Sequence, residues 1–430
     1  MPGANKPRVL FVAAHDSVGG AARAVHRLYK SIRDSFSDTV DISLRVIHKT
    51  HDDPGVVGGK PTRSKLEFLE YFLRTRFRKY FPRRPFVTDN RVLHSQALFH
   101  SGLGRELNRR APNVIMLGWL GSSTLSISEI GRLTSPVVWR LSDMWMFSGA
   151  EHYTPHARYA QGYSRRSRPL TESGPDINRE TFLRKKRHWR YPRHVICPSQ
   201  WMADQVRASQ LTKDWPVHVI PNPIDTAVWA PIPRVRARKA LGLPSRDLIV
   251  LFGAGGGTRD HHKGSDLFLE ALVILQSLLQ ETGDKRHLRG VIFGDDGAET
   301  RDSDVPLAFL GRLGDEDLAR AYSSANVMVV PSRIDNLPST AVEAHACATP
   351  VAAFRVGGLP DIVDDTVTGR LATPEDPRGL ARAIAWIVED PSREKALGLA
   401  ARNRAVALWN PEVIARQYLQ VLLEAASSQK

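Results

Sequence analysis

Val327-Met328-Val329-Val330-Pro331-Ser332-Arg333-Ile334-Asp335-Asn336-Leu337-Pro338-Ser339-Thr340-Ala341-Val342-Glu343 is the stretch that decides the fold. Residues 327–331 are apolar on both faces, as a strand buried in a parallel sheet must be. A turn-rich loop follows, and the pattern then reads as a helix beginning near Ser339. The first N–H groups of a helix have no partner within it, so Ser339, Thr340 and Ala341 are placed to meet an anion. Asp335 falls in the loop and Glu343 one turn into the helix. Two carboxylates beside an anion site repel the anion unless they bind hydroxyls, and sugars and riboses supply hydroxyl pairs. The alternative is that both are helix-start charges favoured by the macrodipole.

Outward from this unit, short aliphatic or β-branched runs alternate with longer amphipathic stretches. Runs at 9–13, 41–47, 113–117, 136–141, 194–197 and 217–220 form one series; those at 248–253, 290–293, 308–310, 327–331 and 350–354 form a second. Strands apolar on both faces and spaced by helices imply parallel sheets with helices on each side, an α/β class of doubly wound units. Two series predict two Rossmann-like doubly wound domains facing a central cleft, and 430 residues are more than one core accommodates. The proline- and turn-rich segment 221–233 is the linker. The expected division is a first domain at 1–215, a second at 216–408 and a helix at 409–430 crossing back to the first.

Composition narrows the chemistry. Apolar residues make up 42% and charged residues 24%, which excludes a disordered chain. The two cysteines, Cys197 and Cys347, fall in different expected domains, so neither a disulfide framework nor a Cys-ligated metal site is expected. No run is apolar enough to cross a bilayer and the start does not read as a signal peptide, which makes the cytoplasm the expected location. Sixty Lys+Arg against 45 Asp+Glu give a net charge of +15 and favour anionic partners. A nucleic-acid partner is not expected, because no small aromatic-studded module or Cys/His framework is present. In 64–81, Leu66, Leu69, Phe72, Leu73, Phe77 and Tyr80 accompany Arg74, Arg76, Arg78 and Lys79. This reads either as a helix packed on the first domain or as one lying on an anionic membrane surface. The basic stretch 149–190 reads as too polar for core, a long loop beside the cleft that turns helical from Arg179.

Two further turns are candidates for phosphate. His15-Asp16-Ser17-Val18-Gly19-Gly20 joins the first strand to a helix, and glycine allows close backbone approach to a ligand. A tight strand-to-helix turn explains the same residues. The second series repeats the device in Gly253-Ala254-Gly255-Gly256-Gly257-Thr258-Arg259, with His261-His262-Lys263-Gly264 opening the next helix and Lys263 as counter-charge. Neither a P-loop nor a dinucleotide fingerprint fits this spacing.

The chain resembles glycosyltransferase family 4, of the GT-B fold. The resemblance is carried by Asp335 and Glu343 at their spacing, by Pro331-Ser332-Arg333 and by Glu343-Ala344. It continues in Pro198-Ser199-Gln200-Trp201, Ile220-Pro221-Asn222-Pro223-Ile224-Asp225, Phe309-Leu310-Gly311 and Gly357-Gly358-Leu359-Pro360-Asp361. Asp143-Met144-Trp145-Met146-Phe147-Ser148-Gly149 with His152-Tyr153 is similar to the colanic-acid fucosyltransferase-like branch. The resemblance implies that Glu343 binds ribose hydroxyls and Asp335 sugar hydroxyls. Lys263, Gly19, Gly20, Gly257, Thr258 and Arg259 would hold the diphosphate, with Ser339, Thr340 and Ala341 at the helix start, and Gly311 and Arg312 would meet the base. Asp335, Asp143 and Lys263 would form the reaction centre, with Ser142, Trp145, His152 and Tyr153 on the acceptor side. It further implies a retaining transfer from a nucleotide-diphosphate sugar, without metal or cofactor, to a saccharide or lipid-linked saccharide in surface polysaccharide synthesis. The sequence departs from the family at Ser142 and Gly118, where histidines are usual, and at Gly257, where Arg is usual. A GT-B-like nucleotide-sugar epimerase and an impaired sugar-nucleotide-binding protein remain open as alternatives.

Overall fold

The computed structural model describes residues 6–59, 86–121, 124–253, 261–294 and 304–428. The basic segment 64–81 and the loop residues Gly257, Thr258 and Arg259 lie outside them. The chain forms two compact units, one of residues 1–222 with 412–430, the other of residues 223–411.

Unit 1 is built on seven parallel strands: β1 (Arg8–His15), β2 (Asp41–His48), β3 (Val56–Val57), β4 (Val114–Leu117), β5 (Val137–Arg140), β6 (His194–Cys197) and β7 (Val217–Val219). Their spatial order is β3-β2-β1-β4-β5-β6-β7. Along β1, Val9, Phe11 and Ala13 share a core with Val25, Leu28 and Ile32 of α1 (Gly19–Phe36). Further along the chain come α2 (Leu103–Arg110), α3 (Ile127–Gly131), α4 (Ile177–His188) and α5 (Gln200–Ala208).

Unit 2 has six parallel strands: β8 (Leu248–Gly253), β9 (Leu288–Phe293), β10 (Leu307–Phe309), β11 (Val327–Val330), β12 (Val351–Phe354) and β13 (Gly369–Ala372), ordered β10-β9-β8-β11-β12-β13. Alternate residues of one strand enter different cores. Ile249, Leu251, Met328 and Val330 pack with α8 (Asp315–Ser324) and α9 (Ser339–Ala346). Val250, Phe252, Val327 and Val329 pack with α7 (Ser265–Glu281) and α11 (Pro377–Val388). This two-sided burial is the reason the strands read as unbroken apolar runs. The remaining helices are α6 (Arg234–Ala240), α10 (Leu359–Ile362), α12 (Pro391–Leu408) and α13 (Pro411–Ser427).

Two expectations need correction, and the helix that returns to the first unit starts two residues later than expected. The first unit ends at Asn222 rather than at 215, because β7 pairs with β6 through Val195 and Val217 and so completes the first sheet. The helix at the end of the chain starts at Pro411, and its Ile414, Tyr418, Leu419 and Leu422 pack into the core that holds Val9 and Phe11. The stretch 149–190 is loop and short turns up to α4, but it is not too polar for the core: Glu151, Arg158, Tyr163, Thr181, Phe182 and Lys185 are buried in it. Its charges enter the core because they are partnered there. Arg158 binds Asp176 through two nitrogens at 3.1 and 2.7 Å, and Tyr163 donates to Glu151 and accepts from the Gly149 amide. Strands β3 and β13 were not foreseen; β3 is two residues long, and β13 (Gly-Arg-Leu-Ala) has no β-branched residue.

Candidate functional site

In an open parallel sheet, ligands bind beyond the carboxyl ends of the strands where the strand order reverses. In unit 2 that point lies between β8 and β11, and in unit 1 between β1 and β4. The glycine turns and the Asp335 loop expected from sequence follow these strands.

In unit 2 the chain after β11 is laced to the turn before α7. Gly264 has φ +69°, and a Cβ there would lie 2.0 Å from the Pro331 carbonyl oxygen, so the close approach requires glycine. The Arg333 amide donates to the His262 carbonyl at 2.8 Å, and the Arg333 guanidinium grips Asp266 at 2.9 and 2.6 Å. The result sets Lys263 Nζ 2.6 Å from Asp335 Oδ2. Asp335 also accepts from its neighbour's amide, Asn336 N, at 3.0 Å and from Ser332 Oγ at 3.4 Å. From the other side, Gly358 donates to the Asp335 carbonyl at 3.1 Å, and a Cβ on Gly357 would lie 1.9 Å from that oxygen.

Helix α9 begins at Ser339 with no side-chain cap. The amides of Ser339 and Thr340 have no partner among the described residues, whereas Ala341 N–H is spent on the Pro338 carbonyl at 3.1 Å. The helix start therefore offers two free amides rather than three. Glu343, expected beside a ribose, is buried and accepts from the Tyr322 hydroxyl at 3.0 Å. Gly311 takes φ +64° and its carbonyl accepts from Gly294 at 2.7 Å, while Arg312 is exposed.

In unit 1, α1 starts at Gly19 with no side-chain cap, and Gly19 and Gly20 are exposed. Nearby, Asp16 is fully buried and accepts from the Thr50 and His51 amides. A shallow, open recess lies beyond β4 and β5; Trp119, Ser142, Asp143, Trp145 and His152 line it. Asp143 Oδ2 accepts from Trp119 Nε1 at 2.9 Å and faces His152 Nδ1 at 2.6 Å, while Oδ1 accepts from the Trp145 amide at 3.0 Å. His152 Nε2 meets Ser95 Oγ at 2.7 Å. A neutral imidazole protonated at Nδ1 satisfies both contacts, donating to Asp143 and accepting from Ser95. Tyr153 donates to the Ser142 carbonyl at 3.1 Å.

Beneath this loop lies Lys185, fully buried and donating to the carbonyls of Trp145, Ser148 and Gly149. Its ammonium also sits 4.1 Å over the Trp145 ring. Burial holds this lysine well below the usual range and pushes the Glu151 carboxyl up. Sequence reasoning missed Ser95 and the clamp role of Lys185. Ser95 lies in an unpatterned segment, and Lys185 stands in a run of basic residues that reads as solvated.

The class defined by these features is the GT-B fold, two Rossmann-like parallel-sheet units with candidate sites at their switch points. Residues 234–404 match the family described as Glycosyl transferases group 1, which takes in β11, the Asp335 loop and α9. The D-inositol 3-phosphate glycosyltransferase of Saccharomonospora viridis is 33% identical over 202 residues, 44% of this chain and 46% of that protein. A Kineococcus radiotolerans protein of the same name is 33% identical over 211 residues, 44% of this chain and 47% of that one. The match thus spans about half the length of these relatives. Among solved structures, Anabaena HepE in complex with UDP-glucose superposes with a TM-score of 0.65 at 16% identity, covering 97% of this chain and all of HepE. Sucrose-phosphate synthase from Thermosynechococcus elongatus does so with a TM-score of 0.63 at 21% identity, over 98% of this chain and all of the synthase. At these identities the likeness establishes the fold.

Proposed function

We propose that this chain transfers a sugar, with retention of configuration and without a metal ion, from a GDP- or UDP-linked hexose or deoxyhexose to a saccharide or lipid-linked saccharide in surface polysaccharide synthesis. The observation that carries the reading is the Lys263–Asp335 pair beside the uncapped start of α9, within the segment that matches the transferase family. The pair holds each charge against the other until a diphosphate engages the lysine and a sugar hydroxyl engages the aspartate. The Ser339 and Thr340 amides then stabilise the charge that develops on the leaving phosphate. As the bond from the sugar to that phosphate breaks, the acceptor oxygen bonds to the anomeric carbon and its proton passes to the leaving phosphate oxygen. No protein nucleophile is required. Glu343 is assigned to the ribose, reached once its contact with Tyr322 gives way. On the acceptor side, Asp143 has one oxygen held by two side-chain donors and the other by a single amide, which leaves the latter able to accept from a sugar hydroxyl.

A thermal-shift panel of nucleotide sugars followed by transfer assays tests this. Stabilisation by one donor class and transfer to a saccharide are the expected results; stabilisation by none refutes it. No helix among the described residues is long and apolar enough to cross a membrane. For a lipid-linked acceptor, the basic segment 64–81 is the proposed docking element, each arginine near anionic lipid contributing about 1 kcal/mol. Replacing Arg74, Arg76, Arg78 and Lys79 by glutamate is expected to abolish salt-sensitive vesicle binding, and unchanged binding would rule out that role.

A further inference from the structure

Arg140 ends β5 and is 2% exposed, as buried as Arg45 at 3% and Arg158 at 2% in the same unit. Those two arginines each face carboxylates, Glu106 for Arg45 and Asp176 with Glu172 for Arg158. Arg140 faces none among the described residues. It donates to Ser142 Oγ at 2.5 Å and to Asn222 Oδ1, and the Tyr418 hydroxyl stands near it. Its Nε–H, closed off from solvent, meets no acceptor. A guanidinium does not shed its proton in a protein, so a full positive charge lies buried among neutral partners. Such an arrangement is unfavourable unless an anion completes it.

Arg140 and Ser142 both line the recess described above. The Ser142 hydroxyl accepts from Arg140 and its own proton has no acceptor among the described residues, so it can donate into the recess. The one carboxylate lining the recess, Asp143, would oppose an anion, but three N–H groups already face its two oxygens. Trp119 and Trp145 line the same space.

We propose that Arg140, acting with Ser142, makes this recess a subsite for the carboxylate or phosphate of an anionic sugar. The inference rests on the proposed sugar transfer only for which sugar, donor or acceptor, carries the anion.

Isothermal titration of the full chain with glucuronate against glucose, glucose 6-phosphate against glucose, and UDP-glucuronate against UDP-glucose tests it. The anionic member is expected to bind about ten- to a hundredfold more tightly, the effect of one charge-assisted contact. That ratio should fall towards one in Arg140→Gln and largely survive in Arg140→Lys. Should Arg140→Gln fail to fold, Ser142→Ala keeps the arginine, removes the hydroxyl it holds, and is expected to narrow the ratio. A preference within the free-sugar pairs places the anion on the acceptor; one confined to the nucleotide pair places it on the donor. Equal affinities in every pair, or a preference unchanged in both the glutamine and alanine variants, overturn the subsite. Loss of all nucleotide-sugar binding with the free-sugar preference intact would refute sugar transfer and leave the subsite standing.

Discussion

His345 makes the stability of unit 2 sensitive to mild acid. It lies on α9, two residues after Glu343, and is fully buried with its ring 6.2 Å from that of Trp409. Neither ring nitrogen reaches hydrogen-bond geometry with a partner, although the Thr368 backbone lies near enough to favour the proton slightly. Desolvation, helped by the Arg404 charge, lowers its pKa from 6.5 to about 3. Because the folded value lies below the unfolded one, the unfolded chain takes up this proton first as the pH falls. The contribution is fully present above about pH 6.5 and is lost progressively between there and about pH 3. At pH 5 the unfolded histidine is protonated about 1.5 units into its titration, which corresponds to about 2 kcal/mol at 1.36 kcal/mol per unit.

Urea unfolding at pH 7.5 and pH 5.0, followed by tryptophan fluorescence, measures this as the difference between wild type and variants, Trp229 and Trp409 being buried in unit 2. His345→Leu and His345→Gln remove the titrating group, so both should lose about 2 kcal/mol less than the wild-type chain over that interval. Half-buried histidines with lowered pKa values, His26 and His94 among them, lie in unit 1 and remain in all three proteins, so their contribution cancels. An identical drop in the wild type and both variants would refute the reasoning.

Three further outcomes are expected. Lys263→Ala and Glu343→Ala should each weaken donor binding about ten- to a hundredfold, since a lost charge-assisted contact costs about 1.5–3 kcal/mol; wild-type donor affinity in both, read by titration calorimetry, would remove the site assignment. Gly357→Ala should destabilise unit 2 by about 1–3 kcal/mol and weaken donor binding, because its φ of +55° disfavours a side chain and the added Cβ would collide with the Asp335 carbonyl; an unchanged denaturation midpoint would contradict this. Transfer should persist in excess EDTA, with Lys263 and the α9 amides meeting the diphosphate charge, and activity lost to chelation and restored by Mg²⁺ or Mn²⁺ would contradict it.

The unit 2 residues assigned to the donor are local in the sequence. One strand, one loop and one helix start contain Ser332, Asp335, Ser339, Thr340 and Glu343 within a dozen residues. What sequence could not supply was occupancy: Ala341 is taken by the Pro338 carbonyl, and Glu343 is turned to Tyr322, which lies in a different helix. The unit 1 candidates are less local. Asp143, His152 and Tyr153 stand close together in the chain, but Ser95, which holds His152, is 57 residues upstream of it.

The misreading of 149–190 has the same physical origin. Charge in a sequence reads as solvated, because burying an unpaired ion is costly, and the inference fails where partners are distant. Arg158 finds Asp176 eighteen residues on, and Lys185 finds the Trp145 carbonyl forty residues back. Arg140 is the exception that the same logic isolates. Its known partners, Ser142, Asn222 and Tyr418, are all neutral, and two of them are far away in the chain. Where Arg158 is completed by carboxylates of its own fold, Arg140 is not, and it lines an open recess. A buried charge that its own fold leaves without a carboxylate, beside a recess, is the ground on which the anion subsite is proposed.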